Sequence, residues 1–197
     1  MDGDRRRVST YSSPHGSRDS RTAMTPLQKV AMGLVIVVLQ PKVGGFDALP
    51  DVLGWVLVML GLLDLRARLD NFAALRMLAV LAGVASAVIF WPTVNESVSE
   101  STGWLVSLPQ LAFCALLCVS LSELSKPDDT AASRRFSFLR WVFITLAAGP
   151  VLVYGGGVDA LLVPLAVLIV AANVFLIYLL FKVSKRPSAR AEVDAPQ

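Results

Sequence analysis

The sequence predicts an all-α fold in which six transmembrane helices form one polytopic bundle. Three observations favour this class: hydrophobic residues make up 55% of the 197-residue chain, charged residues make up 17%, and the mean hydropathy is +0.63. A soluble domain needs more polar residues than this to cover its core. The 2 cysteines are too few for a disulfide-stapled fold. The composition therefore favours an integral membrane protein over a soluble, disordered or disulfide-rich one.

The apolar stretches between charged residues give the positions of the helices. The predicted spans are 26–43, 47–65, 72–92, 103–124, 136–155 and 159–182. The last four contain apolar runs near or above the length of about 20 residues that crosses a bilayer, whereas the first two contain shorter runs. Six spans are expected, because Thr25 and Pro26 suit a helix start and Lys29 can extend its amine to the interface. The alternative is four spans preceded by a re-entrant hairpin over 26–65.

The distribution of basic residues gives the orientation. With six spans and a cytoplasmic N-terminus, every Lys and Arg except Lys42 falls on the cytoplasmic side. Basic loops are retained on that side during membrane insertion. The predicted outer segments carry acidic residues instead, namely Asp47, Asp51, Glu96, Glu100 and Asp159. The sequence therefore predicts a multi-pass protein of the cell (cytoplasmic) membrane with both termini in the cytoplasm.

Two polar tails flank the predicted transmembrane domain, which covers 25–183. Residues 1–24 are rich in Ser, Arg, Gly and Asp and are expected to form a disordered basic tail. Residues 184–197 are expected to form a flexible cytoplasmic tail. Basic residues beside a membrane attract anionic lipids, so the expected partners are the bilayer and its anionic headgroups. A second copy or another membrane protein is a further candidate partner, and no nucleic acid is expected.

The most distinctive stretch covers 44–65. It contains Leu-Pro-Asp at 49–51, then Gly54 and Trp55, and later a Gly-Leu pair at 61–62. This pattern resembles a segment that recurs in a family of small multi-spanning bacterial membrane proteins. The resemblance implies a bacterial cytoplasmic-membrane protein. It implies no functional residues, because that family has no assigned activity.

Two carboxylates, Asp47 and Asp51, lie at the outer start of the second predicted span. Residues four apart share one face of a helix, and two interpretations of this pair stay open. One is an Asp cap with an acidic first turn, which the helix dipole stabilises. The other is a site for a cation or small solute at the outer mouth, with Lys42 near enough in sequence to neutralise one carboxylate. The structural role is the expected one.

Asn173 is the notable polar residue near the middle of the last predicted span. An ionisable residue inside a span usually indicates function, and the central stretches of the last four spans contain none. An interhelical hydrogen bond is the expected role of Asn173, and substrate binding is the alternative.

Small residues at helical spacing predict close contacts between helices. The expected packing positions are Ala79, Gly83 and Ala87 on the third span and Gly54 and Gly61 on the second. Cys114 and Cys118 also share a helix face, but a metal would need further ligands, and His15 lies in the predicted tail. We therefore expect no metal and no other cofactor.

The sequence predicts a non-enzymatic membrane protein with a structural or accessory role. It contains no phosphate-binding loop, no G-x-S-x-G motif and no H-E-x-x-H motif. The alternative is a small transporter or channel for a cation or small solute that uses an outer Asp47/Asp51 site.

Overall fold

The computed structural model describes residues 24–39, 42–43, 46–47, 51–89, 100–126, 129–156 and 159–185. Within these ranges the chain forms six α-helices: α1 (Pro26–Leu39), α2 (Asp51–Asp64), α3 (Phe72–Ile89), α4 (Glu100–Ser125), α5 (Thr130–Gly156) and α6 (Leu162–Ser184). Two short antiparallel strands, β1 (Lys42–Val43) and β2 (Phe46–Asp47), lie between α1 and α2, and a 3-10 turn, Asp159–Leu161, precedes α6. The predicted helical class is confirmed. The predicted tails, 1–24 and 184–197, lie almost entirely outside the described residues.

Among the helices that the structure describes, two are long and apolar enough to cross a membrane. They are the Gly103–Ser125 part of α4 and the whole of α6. α1 and the Phe72–Val88 part of α3 are apolar but shorter. α1 and α2 have 14 residues each, or about 21 Å of helix, against a hydrocarbon core of about 30 Å.

α5 is the longest helix, with 27 residues, but it is not uniformly apolar. Three arginines, Arg134, Arg135 and Arg140, lie in its first half and interrupt the hydrophobic sequence. The apolar part of α5 is therefore its second half, beyond Trp141. The predicted span 136–155 lies inside this helix, which extends past it at both ends.

The helices pack as a closed ring that follows the order of the chain. Each helix contacts the next one, and α6 contacts α1. The closest pairs are α1 with α2 and α4 with α5, so α1–α3 and α4–α6 form two halves with the same order of contacts. Neighbours run antiparallel, since Val30 of α1 lies at Gly61 of α2 and Ser122 of α4 lies at Ser133 of α5.

Because neighbours are antiparallel, the starts of α1, α3 and α5 lie at the same end of the bundle as the ends of α2, α4 and α6. We call this the basic end. Its basic residues are Lys29, Arg66, Arg68, Arg76, Lys126, Arg134, Arg135, Lys182 and Lys185. The opposite end holds the start of α2 at Asp51 and the 3-10 turn that begins at Asp159.

The interior of the ring is apolar. Its largest fully buried side chains are Phe113, Phe136, Phe143, Leu34, Leu62, Leu75, Leu117, Leu121, Leu146, Leu176, Leu179 and Leu180. Among the side chains whose burial the structure describes, no charged one is buried as a whole, although single atoms of Asp51 and Arg140 are enclosed. The buried polar residues are Thr25, Ser120, Ser122, Ser133, Asn173 and Ser184. This interior resembles the packed centre of a helix bundle.

Two helix starts at the basic end have side-chain caps. At α1 the backbone N–H of Gln28 donates to Thr25 Oγ1 at 3.3 Å, and the backbone N–H of Thr25 donates to the side-chain oxygen Oε1 of Gln28 at 3.0 Å. This reciprocal pair is a capping box, with Pro26 at the first helical position. At α5 one carboxylate oxygen of Asp129 accepts hydrogen bonds from the amides of Ala131 and Ala132. The helix start predicted at Thr25 and Pro26 is therefore present.

Candidate functional site

The two carboxylates predicted as a cation site lie in different elements. Asp47 is in β2, where the backbone register pairs it with Lys42 of β1, and Asp51 is the first residue of α2. The expectation that they share one helix face is therefore wrong. Pro50 stands between them in the sequence, and a proline disfavours helical backbone at the residue before it. α2 accordingly begins at Asp51, four residues after the start of the predicted span.

Asp51 occupies the first turn of α2, where the helix dipole favours a negative charge. It is half-buried and has an interaction partner within the protein. Its position matches the structural interpretation of an acidic first turn. The side-chain geometry of Asp47 lies outside the described features, so a binding site that includes both carboxylates stays a prediction.

Trp55, one turn after Asp51, connects α2 to the centre of the ring. The side chain is 3% exposed and packs edge-to-face on Phe113 of α4, with ring centroids 5.3 Å apart and planes at 83°. Gly83 of α3 lies against it, since a Cβ at Gly83 would be 3.3 Å from Trp55 Cβ. Aromatic pairs of this geometry contribute about 0.5–1.5 kcal/mol beyond area burial. The contact joins three helices at one point.

Asn173 makes a buried polar contact between α4 and α6. It is 3% exposed, its Nδ2 donates to the Ile169 carbonyl oxygen at 2.9 Å, and its Oδ1 accepts from Cys114 Sγ at 3.7 Å. Both polar atoms of the amide are thus engaged inside the protein. Cys118 is also buried, and the described residues contain no group of three metal-binding side chains. The geometry at Asn173 is that of an interhelical hydrogen bond.

Glycines allow the backbones of α1 and α2 to touch. A Cβ at Gly54 would lie 2.7 Å from the carbonyl oxygen of Gly33, and a Cβ at Gly61 would lie 2.8 Å from that of Pro26. Gly54 and Gly61 therefore lie on the face of α2 that meets α1. Sequence reasoning missed Gly33, because a single glycine in an apolar helix has no spacing partner within the same helix.

The small residues of α3 differ from one another in their surroundings. Ala79 is buried, and Gly83 lies against Trp55. Ala87, near the end of α3, is exposed. The stripe therefore contacts neighbouring helices over its first two members, and the third faces outward.

An ion pair at the basic end closes the α1–α2 pair. Lys29 Nζ lies 2.6 Å from Asp64 Oδ2, and the two side chains are 33% and 41% exposed. The sequence indicated that Lys29 would reach the interface but gave no partner for it. Partners 35 positions apart are brought together by the tight antiparallel packing of two helices, which no local spacing encodes.

Three serines link α4 to α5 near the basic end. Ser122 Oγ lies 3.1 Å from Ser133 Oγ and 3.1 Å from Ser137 Oγ, so one hydroxyl of α4 meets two of α5. Ser122 and Ser133 are buried. The sequence signal was the pair of serines at 133 and 137, which share a helix face. Small hydroxyl residues of this kind hold apolar helices together.

Similarity to other proteins gives no functional assignment. Comparisons with protein-family models, with curated proteins and with solved structures find no match to this chain. The resemblance of 44–65 to a segment of bacterial membrane proteins stays a prediction. We therefore infer function from the contacts described above.

Proposed function

We propose that the protein is an integral membrane protein that crosses the cell membrane six times and has a structural or accessory role without turnover. Its partners are the bilayer and either a second copy or another membrane protein. The basic end faces the cytoplasm, and the α1–α2 pair spans the membrane together with the β1–β2 segment.

The burial of α6 supports a membrane location most directly. α6 is long enough to span a bilayer, yet only 28% of its most apolar 18-residue stretch is buried inside the protein. The corresponding buried share for α4 is 44%. A core helix of a soluble protein would be mostly buried. Large apolar side chains such as Val163, Val167 and Val174 are instead more than half exposed. A surface of this kind is stable when hydrocarbon chains cover it.

Charge asymmetry supports the orientation. Basic residues cluster at the basic end of the bundle, and the opposite end holds the acidic start of α2. Cytoplasmic loops carry the excess of Lys and Arg in multi-pass membrane proteins. Six spans with both termini in the cytoplasm agree with this distribution, and so does a re-entrant α1–α2 pair, because both arrangements keep the later loops on the same sides.

The packed interior supports a structural role. Ion and proton pathways through membrane proteins depend on ionisable side chains inside the bundle. Among the side chains whose burial the structure describes, no charged one is buried as a whole, and the amide of Asn173 is engaged by Cys114 and by its own helix. Such an interior is suited to holding helices in fixed positions.

Alkaline extraction of isolated membranes tests the membrane location. An integral protein stays in the membrane pellet at high pH and is released only by detergent, whereas a peripheral protein enters the supernatant. Recovery of the full-length chain in the supernatant would contradict the proposal. Retention of the protein in the pellet through repeated alkaline extractions, followed by its release as a folded protein in detergent, would support the proposal.

A small transporter or channel is the second candidate. Two halves with the same order of helix contacts, α1–α3 and α4–α6, resemble in arrangement the internal repeats that many transporters contain. The purified protein would be titrated with cations while tryptophan emission and melting temperature are followed, with Asp51→Asn alongside. A saturable response that the variant loses would favour this candidate. An identical flat response in both proteins would favour the structural role.

A further inference from the structure

A groove lined by two arginines lies between the start of α5 and the second half of α6. It has a volume of about 720 Å³ and is lined by Thr130, Ala131, Arg134, Arg135, Phe138 and Phe175. We call it the arginine groove. Both guanidinium-bearing side chains are exposed, whereas Phe138 and Phe175 provide an apolar wall. The groove therefore combines positive charge with an aromatic surface at the basic end of the bundle.

No acidic residue of the described part of the protein lines the arginine groove. Neither Arg134 nor Arg135 forms an ion pair there. The nearby acid, Asp129, uses one carboxylate oxygen to cap the amides of Ala131 and Ala132. An anion in the groove would thus meet the two guanidinium groups and the hydroxyl of Thr130 rather than those amides.

A second, shallow groove on the exposed face of α6 meets the first at Phe175. It has a volume of about 790 Å³, shares Phe175 with the arginine groove, and is lined by apolar residues that include Val167, Val170 and Val174. We call it the α6 groove. From Tyr178 to Ala166 it extends about 18 Å along the helix, away from the basic end. A molecule that fills both grooves needs an anionic group at one end and a long apolar chain at the other.

We propose that the two grooves together bind one anionic phospholipid. Its phosphate lies against Arg134 and Arg135, because guanidinium and phosphate form charge-assisted, often bidentate hydrogen bonds. One acyl chain follows the α6 groove past Phe175. A phosphatidylglycerol-type lipid keeps its net negative charge, whereas the amine of a zwitterionic lipid offsets the phosphate. This site rests on the membrane location proposed above.

Native mass spectrometry of the detergent-solubilised full-length protein tests this site. The probe is an equimolar mixture of phosphatidylglycerol and phosphatidylcholine with identical acyl chains. The wild-type protein is expected to retain phosphatidylglycerol preferentially. Arg134→Gln with Arg135→Gln is expected to lower that preference about tenfold or more, since both positive charges that attract the phosphate are removed.

The matched control removes the same charge at the same end. Arg66→Gln with Arg76→Gln alters exposed arginines of the α2–α3 turn and α3, where Arg76 lines a smaller groove of about 360 Å³. The control is expected to keep the wild-type preference and melting temperature. An equal loss in both double variants would overturn the site, because general surface charge would then explain the binding. Equal retention of the two lipids by the wild-type protein would also overturn it.

Ala171→Phe tests the acyl-chain groove separately. Ala171 is exposed and lines the α6 groove, so a phenyl ring there fills space without entering the core. Retention of phosphatidylglycerol should fall several-fold. If soluble glycerophosphate displaces the bound lipid as effectively as added phosphatidylglycerol does, the groove is a site for phosphate alone and the lipid site is refuted. If the protein stays soluble without detergent, the proposed membrane location is wrong. Equal retention of the two lipids by the detergent-solubilised protein would instead refute only the lipid site.

Discussion

Gly33 and Gly54 face each other where α1 crosses α2, so closely that a Cβ at Gly33 would lie 2.5 Å from the carbonyl oxygen of Gly54. The reciprocal distance, from a Cβ at Gly54 to the Gly33 oxygen, would be 2.7 Å. The obstacle in each case is backbone, which cannot rotate away as a side chain can. This contact sets the separation of the two shortest helices of the bundle.

Gly54→Ala should destabilise the protein, because the methyl group would force α1 and α2 apart. Overpacking costs about 1–3 kcal/mol, which a gain in helix propensity of about 1 kcal/mol offsets in part. Melting of the detergent-solubilised variant should therefore begin at a lower temperature. Gly83→Ala is the control, since its Cβ would be 3.3 Å from Trp55 Cβ and needs only a small adjustment. Equal melting temperatures for Gly54→Ala and the wild type would contradict the close approach.

Lys29 and Asp64 should show a small coupling energy. Their atoms are 2.6 Å apart, but both side chains are about one-third exposed or more, so solvent weakens the attraction. A double-mutant cycle with Lys29→Met and Asp64→Asn is expected to give about 0.2–1 kcal/mol at low salt. The coupling should shrink as the salt concentration rises. Additive effects of the two substitutions at low salt would refute the pairing.

Ser122→Ala should cost more stability than Ser120→Ala. Ser122 loses contacts to Ser133 and Ser137, and a net loss of about 1 kcal/mol is typical for a hydrogen-bonded hydroxyl. Ser120 is buried, and its Oγ has no hydrogen-bond partner within the described structure, so its removal takes away an unsatisfied polar group. Thermal unfolding of the two variants provides a matched comparison on one helix. The reverse order of melting temperatures would contradict the serine contact between α4 and α5.

Asn173→Leu and Cys114→Ala should be non-additive, because each removes the same contact between α4 and α6. Hydrogen bonds between membrane helices average about 0.6 kcal/mol and reach about 1.7 kcal/mol. The coupling energy from chemical unfolding should fall in that range. A coupling of zero, together with an altered cation response in Asn173→Leu alone, would instead indicate that Asn173 contacts a solute.

Local sequence signals predict the helices and several packing positions, because both arise within a single element. Thr25 with Pro26 indicates where α1 starts, and glycines 54 and 61 fall on one face of α2. The same reasoning fails at Asp47, where a spacing of four residues suggested a helix and the chain forms β2. Pro50 was the signal for an interruption.

Contacts that depend on the whole bundle have no local signal. The ring closes where α6, the last described helix, contacts α1, the first. The sequence of a single helix does not indicate which other helices will be its neighbours in the ring. Gly33 opposite Gly54 and Asp64 opposite Lys29 follow from the register of two helices. The arginine groove likewise needs Phe175 of α6 to meet the start of α5.

Labelling single cysteines in intact cells tests the central claim most directly. Lys42→Cys lies in β1 and Asp70→Cys in the exposed turn between α2 and α3, and both substitutions preserve the excess of positive charge at the basic end. Cys114 and Cys118 are buried, so the unmodified protein provides the background. A membrane-impermeant maleimide should label Lys42→Cys in intact cells and Asp70→Cys only after the membrane is opened. Labelling of Asp70→Cys in intact cells would contradict the orientation. If Lys42→Cys stays unlabelled from outside, the six-span arrangement is wrong and four spans with a re-entrant hairpin take its place.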